Sequence, residues 1–338
     1  MNKFEYVWLD GYEPEPNLRS KVKIESYNGH LPEWSFDGSS TKQATGDNSD
    51  CILVPVAEYK TIDRIRPDAT QTGPGLEGSY VMCEVLSADH EPHPSNTRTH
   101  CQNLISDEWW FGFEQEYFMY KNGRPLGWPT IGKPRSQGDY YCGVGADNVV
   151  GREISDRHAE ACMNAGINIT GTNAEVALGQ WEYQVLGSGI TAGDDLWMSR
   201  YILHRIAEKH GVTINLHPKP QKGDWNGSGM HTNFSNSRMR SLGGMNYFLE
   251  CCEQLGTRHE DAIANYGSEN QKRLTGKHET QSIKKFSYGV SDRGASIRIP
   301  ISTVDNVNWC GYLEDRRPAS NADPYKIMRH IVETLTQY

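Results

Sequence analysis

Apolar and polar positions alternate through WWFGFEQEYFMY, residues 109–120, which predicts a strand with two unlike faces. Residues two apart in an extended chain point the same way, so Glu114 and Glu116 project together, beside Trp110, Gly112 and Phe118. Two like charges on one apolar-flanked face are costly unless a metal ion, a cationic substrate or arginines neutralise them. For a single Glu-x-Glu, an edge strand with one wet face is the commoner explanation. The rest of the chain has to decide between the two.

The same pattern organises the remainder. FEYVWLD, KVKIES, CILVPVAEY and SYVMCEVL read as strands joined by turn-rich links, and TQTGPGLEGS (70–79) reads as an exposed loop. Residues 1–90 therefore form a small β domain, with a boundary near Asp89–Arg98, where proline and polar residues concentrate in HEPHPSNTR. Residues 91–338 mix both elements and predict a large α+β domain. Helices are expected at 153–165, 194–210 and 245–264, and strands at 110–118, 174–185, 212–216, 228–235 and 295–301. Near the end, Asp323 reads as an N-cap with Pro324 at the first helical position, followed by the stripe Ile327, Met328, Ile331 and Leu335.

Composition narrows the classes. With 34 basic against 43 acidic residues and a net charge of −9, the chain has no strong basic run, which argues against nucleic-acid or acidic-membrane binding. The N-terminus lacks an apolar leader segment and no stretch is long enough to cross a bilayer, so a cytoplasmic protein is expected. Eight cysteines without a CxxC pair indicate neither a zinc ribbon nor a dithiol motif.

Further candidate chemistry lies in GTNAEVALGQWEYQVLG. If Leu178-Gly179 is a two-residue hairpin turn, Ala177 pairs with Gln180, Val176 with Trp181 and Glu175 with Glu182, a second pair of opposed acids. Gathered oxygen ligands of this kind suit Mg²⁺ or Mn²⁺. In KGDWNGSGMHTNF, Gly227 and Gly229 let backbone approach a ligand, and His231 becomes a ligand only if the fold carries it to the glutamates. The glycines match neither a Walker nor a dinucleotide fingerprint. Arginines set among small residues in QKRLTGKHET, SDRGASIRIP and GYLEDRRP fit oxyanion clamps, and Arg298 sits between Ile297 and Ile299, which should face a core. Acids for metal and arginines for anions are the inventory of phosphoryl transfer.

Taken in order, FDGSST, FGFEQEY, YYCGVGAD, GTNAEV, QWEYQ, WNGSGMHTNFS, RLTGKHET, RGASIRIP and GYLEDRRPASNADP resemble the glutamine synthetase family, of the shorter type common in eukaryotes, from about Tyr6 to Asp323. The resemblance implies a β-grasp-like N-terminal domain and a catalytic domain with a curved antiparallel sheet flanked by helices. It implies ATP-dependent ligation of ammonia to the γ-carboxylate of L-glutamate through γ-glutamyl phosphate. One divalent ion would be held by Glu116, Glu175 and Glu182, and a second by Glu114, His231 and Glu314. Asn226, Gly227, Arg273 and Arg316 would bind glutamate; Asn233, Ser235, Arg293, Arg298 and Tyr312 would bind ATP. Arg293 would also neutralise the transferring phosphate. Asp37, Asp50 and Tyr141 would hold ammonium and help remove its proton, and Glu279 would shield the acyl phosphate from water. The resemblance also implies a decamer of two stacked pentameric rings with sites between subunits.

Some features depart from that pattern. The sequence begins at its first strand, without the N-terminal helical extension usual in this type. TQTGPGLEGS is longer than usual, NYGSENQK is shorter, and STVDNVNWCGYLEDRR differs before Glu314, where the nucleotide is expected. A catalytically dead relative should have lost ligands, whereas all six matched metal ligands and four arginines are present. A ligase for another amine is disfavoured by Asp37 and Tyr141. A guanidino kinase would need neither the acidic hairpin nor the ammonium-pocket aspartates.

Overall fold

The computed structural model describes residues 1–26, 29–61 and 78–336. They divide into two compact units, Met1–His100 with Glu160–Ile167, and Cys101–Ala159 with Asn168–Tyr338. The first unit holds β1 (Asn2–Leu9), β2 (Leu18–Glu25), β3 (Trp34–Asp37), β4 (Asp50–Thr61) and β5 (Gly78–Leu86) in the order β2-β1-β5-β4-β3. Only β1 and β5 run parallel; the other pairs are antiparallel. Phe4, Tyr6, Trp8, Phe36, Leu53, Val81 and Val85 fill its core. This is a β-grasp arrangement. Four of the strands follow the predicted runs; the four-residue β3 was too short to stand out. Most of the predicted 70–79 loop lies outside the described residues, and Gly78 and Ser79 already belong to β5.

The second unit is built on a curled, mainly antiparallel sheet. After the short helix α1 (Thr97–Gln102) come β6 (Trp110–Lys121), β7 (Arg124–Pro125), helix α2 (Arg152–Asn164), β8 (Ile169–Ala174) and β9 (Gln180–Ser188). Helix α3 (Thr191–Lys209), β10 (Thr213–Asn215), β11 (Met230–Ser235) and helices α4 (Ser237–Ser241), α5 (Met245–Thr257) and α6 (His259–Asn265) follow. β12 (Tyr288–Val290), β13 (Ile297–Ile299), α7 (Ile301–Asp305), β14 (Leu313–Asp315) and α8 (Pro324–Thr336) complete the unit. The order β12-β13-β14-β11-β6-β9-β8 puts β6 between β11 and β9, while β7 and β10 pair with its far end.

The predicted helix over 245–264 is two helices. It breaks at Arg258 (φ −111°, ψ 29°), whose N–H turns back to the Gly256 carbonyl. The C-terminal helix starts as expected, with Asp323 accepting the Tyr325 N–H at 3.0 Å and Ile327, Met328 and Ile331 buried.

Strand β6 carries the division between core and site. Phe111, Phe113, Gln115 and Tyr117 are buried on one face, while Glu114 and Glu116 stay partly exposed on the other. Helix α3 packs against β6 and β9. Each buried aromatic contributes on the order of 1.5–3 kcal/mol. Arg200 of α3 is buried in this layer and forms no ion pair within 4.0 Å among the described residues. It donates instead to Gln115 Oε1 at 2.8 Å and to the Ser320 and Ala322 carbonyls, both at 2.9 Å. It thus ties the back of β6 to the chain entering α8. Arg200→Ala strands Gln115 Oε1 and the Ala322 carbonyl, each worth about 1–3 kcal/mol, while the Ser320 carbonyl keeps Gln115 Nε2 at 3.0 Å, so denaturant titration should show a loss of about 2 kcal/mol or more. A loss below about 1 kcal/mol would refute this role for the arginine.

Candidate active site

The solvent-side face of the sheet carries the predicted acids as one connected row. Cross-strand register sets Glu114 of β6 opposite His231 of β11 and Glu116 opposite Glu182 of β9. Glu314 of β14 stands opposite both Asn233 of β11 and Arg298 of β13. Because β6, β9 and β11 alternate in step, the polar members of all three meet on one wall. That wall bounds a cavity of about 400 Å³.

The hairpin prediction is half right. Leu178 and Gly179 do form the turn, closed by Gln180 N–H to the Ala177 carbonyl at 3.0 Å. Glu182, however, faces Asn173 rather than Glu175. Residues 175 and 176 leave the ladder, and the Val176 carbonyl takes the Gly138 N–H at 2.8 Å instead. The shift is two residues, so it preserves the face, and Glu175 still lines the cavity.

Glu114, His231 and Glu314 offer donor atoms that all lie within 4.8 Å of one another. His231 Nδ1 is 3.4 Å from Glu114 and 3.7 Å from Glu314. Burial, then the charge of Arg316, holds the imidazole neutral, with its pKa well below the ordinary 6.5. Neutral imidazole and carboxylate are the forms that ligate a divalent cation. The remaining acids crowd together. Burial raises Glu116, and burial followed by the charge of Glu114 raises Glu182 far above the usual carboxylate range. Burial followed by the charge of Glu116 pushes Glu175 up to about 8. Carboxylates that resist ionising together fit a place for a hard cation, which would relieve that repulsion.

Arginines line the cavity beside these acids. Arg273, Arg293, Arg298 and Arg316 all border it. Arg298 Nη1 meets Glu314 Oε2 at 2.7 Å, and Arg316 Nη1 donates to Glu314 Oε1. The Arg298 Nε–H is buried with no hydrogen-bond partner among the described residues. Arg273 donates to the Arg317 and Arg316 carbonyls at 3.3 and 3.1 Å, and contacts His231 Nε2 at 3.0 Å. Gly227 and Gly229 make room for it. A Cβ at Gly227 would lie 2.7 Å from Arg273 Cγ, and one at Gly229 would lie 2.4 Å from Nη2. The close approach expected at these glycines is to a side chain that itself faces the cavity.

Three loops close the rim. Tyr141 and Glu279 both line it, and Cys142, His278 and Glu279 hold positive φ of 51°, 55° and 57°. Gln137 joins two of the loops, accepting the Asn226 N–H at 2.6 Å and donating to Asn226 Oδ1 at 2.8 Å, with His278 Nδ1 at 3.2 Å. Not every predicted residue borders the cavity. Asn233 donates to Glu114 at 2.7 Å, Ser235 is buried against Arg240, and Tyr312 is exposed immediately before β14. Asp37 and Asp50 pair across β3 and β4 of the first unit. Asp37 caps the 3₁₀ turn at 38–41, accepting the Ser39 N–H at 3.0 Å and the Ser39 and Ser40 hydroxyls at 2.6 Å, which lowers its pKa. Asn173, Gln180, Gln184 and His278 line the cavity without having been singled out from sequence. Gln180 and Gln184 sit two residues either side of Glu182, a spacing that could have exposed them.

Residues 99–334 match the family described as glutamine synthetase, catalytic domain, and residues 1–88 match its β-grasp domain. A glutamine synthetase of Bradyrhizobium diazoefficiens is 52% identical over 345 residues, covering 99% of this chain and 96% of the relative. One from Schizosaccharomyces pombe is 48% identical, covering 99% and 92%. A solved Plasmodium falciparum glutamine synthetase superposes with a TM-score of 0.77 at 18% identity, covering 99% of this chain and 71% of that one, a likeness of fold.

The raised carboxylates give a signed pH dependence. An unfolded chain releases the Glu175 proton near the ordinary 4.5, whereas the ion-free fold keeps it until about 8. Folded stability is therefore lost as pH rises through that window. His231, held neutral, contributes the opposite slope only below its ordinary 6.5. The thermal midpoint of chelator-treated protein should fall between about pH 6.5 and 8, and millimolar Mg²⁺ should restore more of it at the higher pH. A flat profile with and without Mg²⁺ would contradict the crowding described here.

Proposed function

The chain belongs to the glutamine synthetase family, and from that premise we propose that it joins ammonia to the γ-carboxylate of L-glutamate at the expense of ATP. The observation that carries this reading is the convergence of Glu114, His231 and Glu314 on one point, in a cavity that four arginines also line. The γ-carboxylate attacks the γ-phosphorus of ATP, giving γ-glutamyl phosphate and ADP. Ammonia then adds to the acyl carbon and phosphate leaves, giving glutamine. Phosphorylation is needed because a carboxylate would otherwise have to expel oxide.

Each group of side chains has a part in this. Glu116, Glu175 and Glu182 form one cation site and Glu114, His231 and Glu314 a second, both for Mg²⁺ or Mn²⁺. The cations supply charge neutralisation for the phosphates. Arg273 and Arg316 hold the carboxylates of glutamate, with Asn226 and Gly227 fixing its amino end. Two of the five N–H groups of Arg273 stay available after its three protein contacts. Arg293 and Arg298 neutralise the transferring phosphoryl group, and a phosphate oxygen would satisfy the buried Arg298 Nε–H. Asn233, Ser235 and Tyr312 border the nucleotide; Asn233 does so while holding Glu114.

Tyr141, Asp37 and Asp50 bind ammonium and accept its proton, and Glu279 on the rim loop keeps water from the acyl phosphate. Asp37 and Asp50 complete the site of a neighbouring subunit in a decamer of two stacked pentamers, and the enzyme is cytoplasmic. Among the described residues no helix is long and apolar enough to cross a membrane.

Phosphate release from ATP, with glutamine identified by mass, tests the reading. Release should require glutamate, a divalent cation and ammonium together. Glu116→Ala should lower turnover by at least about a thousandfold, in the range of lost transition-state charge stabilisation, and Asp37→Ala should chiefly raise the ammonium KM. Folded protein that binds ATP and the cation yet shows no ammonium-dependent release would point to another amine acceptor. Wild-type turnover in Glu116→Ala would sink the cation assignment.

A further inference from the structure

Four carboxamides repeat one arrangement around the acids. Asn233 Nδ2 donates to Glu114 Oε1 at 2.7 Å, and Gln180 Nε2 donates to Glu116 Oε2 at 3.2 Å. Asn173 Nδ2 donates to Glu175 Oε1 at 3.1 Å, and Gln184 Nε2 donates to Glu182 Oε1. Each of the four carboxylates meets one side-chain amide, and Glu116 and Glu175 also accept the Gly229 and Val176 N–H groups at 2.9 and 3.1 Å. The last two links are continuous, because Gln184 Nε2 also donates to Asn173 Oδ1 at 3.1 Å. Glu314, the remaining acid of the row, is held by arginines instead.

The backbone makes room for this belt. A Cβ at Gly171 would lie 2.2 Å from Gln184 Oε1. Strand β8 has an irregularity between Ile169 and Gly171, immediately beside that contact. Gln180 keeps its Nε2 toward Glu116 and the Gly227 carbonyl at 3.1 Å although its own Oε1 is left buried without a partner. An unpaired buried carbonyl costs on the order of 1–3 kcal/mol, so the amide orientation is maintained against that cost.

Lysine or arginine in these places would pair with the acids more strongly, but would cancel the charge that attracts a cation. Water would leave the carboxylates free to rotate apart. A carboxamide fixes direction and leaves the negative charge intact. We propose that Asn173, Gln180, Gln184 and Asn233 are positioning residues that set the divalent-cation affinity of the site by holding four like-charged acids in place without neutralising them. The proposal rests on the reading of these acids as cation ligands.

Binding of Mn²⁺ alone to the full chain, followed by the electron paramagnetic resonance of free Mn²⁺, tests it independently of turnover. Gln184→Met keeps volume and neutrality but removes the donor, and should weaken Mn²⁺ binding on the order of 10–100-fold. Gly171→Ala, which displaces the intact Gln184, should weaken it comparably. The double variant should be no weaker than Gln184→Met, since both act through one side chain. Circular dichroism in chelator establishes that the variants fold. If Gln184→Met does not fold, Gly171→Ala alone carries the test. Wild-type affinity in folded Gln184→Met or Gly171→Ala, or losses that add in the double variant, would overturn the proposal. Glu182→Gln separates the two levels. Loss of binding there with wild-type affinity in Gln184→Met rejects only the positioning role, whereas wild-type affinity in Glu182→Gln rejects the cation site itself.

Discussion

Electrostatic repulsion among glutamates on one concave wall is the constraint that the rest of the catalytic unit answers. Glu114, Glu116, Glu175, Glu182, Glu279 and Glu314 border one cavity, and their charge is met by only four arginines there. Left to themselves, acids at this spacing protonate or splay. The fold prevents splaying by mounting four of them on strands, where cross-strand register fixes spacing more tightly than a loop could. Protonation is then the remaining escape, and the raised pKa of Glu116, Glu175 and Glu182 records it. A cation removes both problems at once.

The same alternation that creates the repulsion also supplies the scaffold that withstands it. Phe111, Phe113, Gln115 and Tyr117 anchor β6 through the face opposite the acids. Arg200 locks that face to the chain around Ser320 and Ala322. Behind β14, Asp315 and Arg317 form a buried pair at 2.7 Å, so the strand carrying Glu314 and leading into Arg316 is fixed from the back as well. The rim, by contrast, is carried by loops: Tyr141, His278 and Glu279 border the cavity from segments that contain positive-φ residues.

Much of this was legible in the sequence, for a physical reason. Period-two alternation over Trp110–Phe118 determines which side chains share a face before any partner strand is known, so Glu114 and Glu116 could be paired from sequence alone. The flanking of Arg298 by Ile297 and Ile299, both buried, was visible in the same way. Register was not. Whether Glu182 faces Glu175 or Asn173 depends on the Val176 carbonyl finding the Gly138 N–H, a contact 38 positions apart in the chain. The break at Arg258 falls within GTRHED, residues 256–261, where the apolar pattern lapses after Gly256, a stop signal that the expected single helix ran through. The carboxamides went unnoticed because asparagine and glutamine carry no charge to mark them, and because the space for Gln184 comes from an absent side chain at Gly171.

If the acid wall exists to hold cations, anomalous scattering from crystals grown with Mn²⁺ will show two strong peaks in the cavity, one among Glu114, His231 and Glu314 and the other among Glu116, Glu175 and Glu182. An empty wall at saturating Mn²⁺, or peaks confined to surface carboxylates elsewhere, would contradict it.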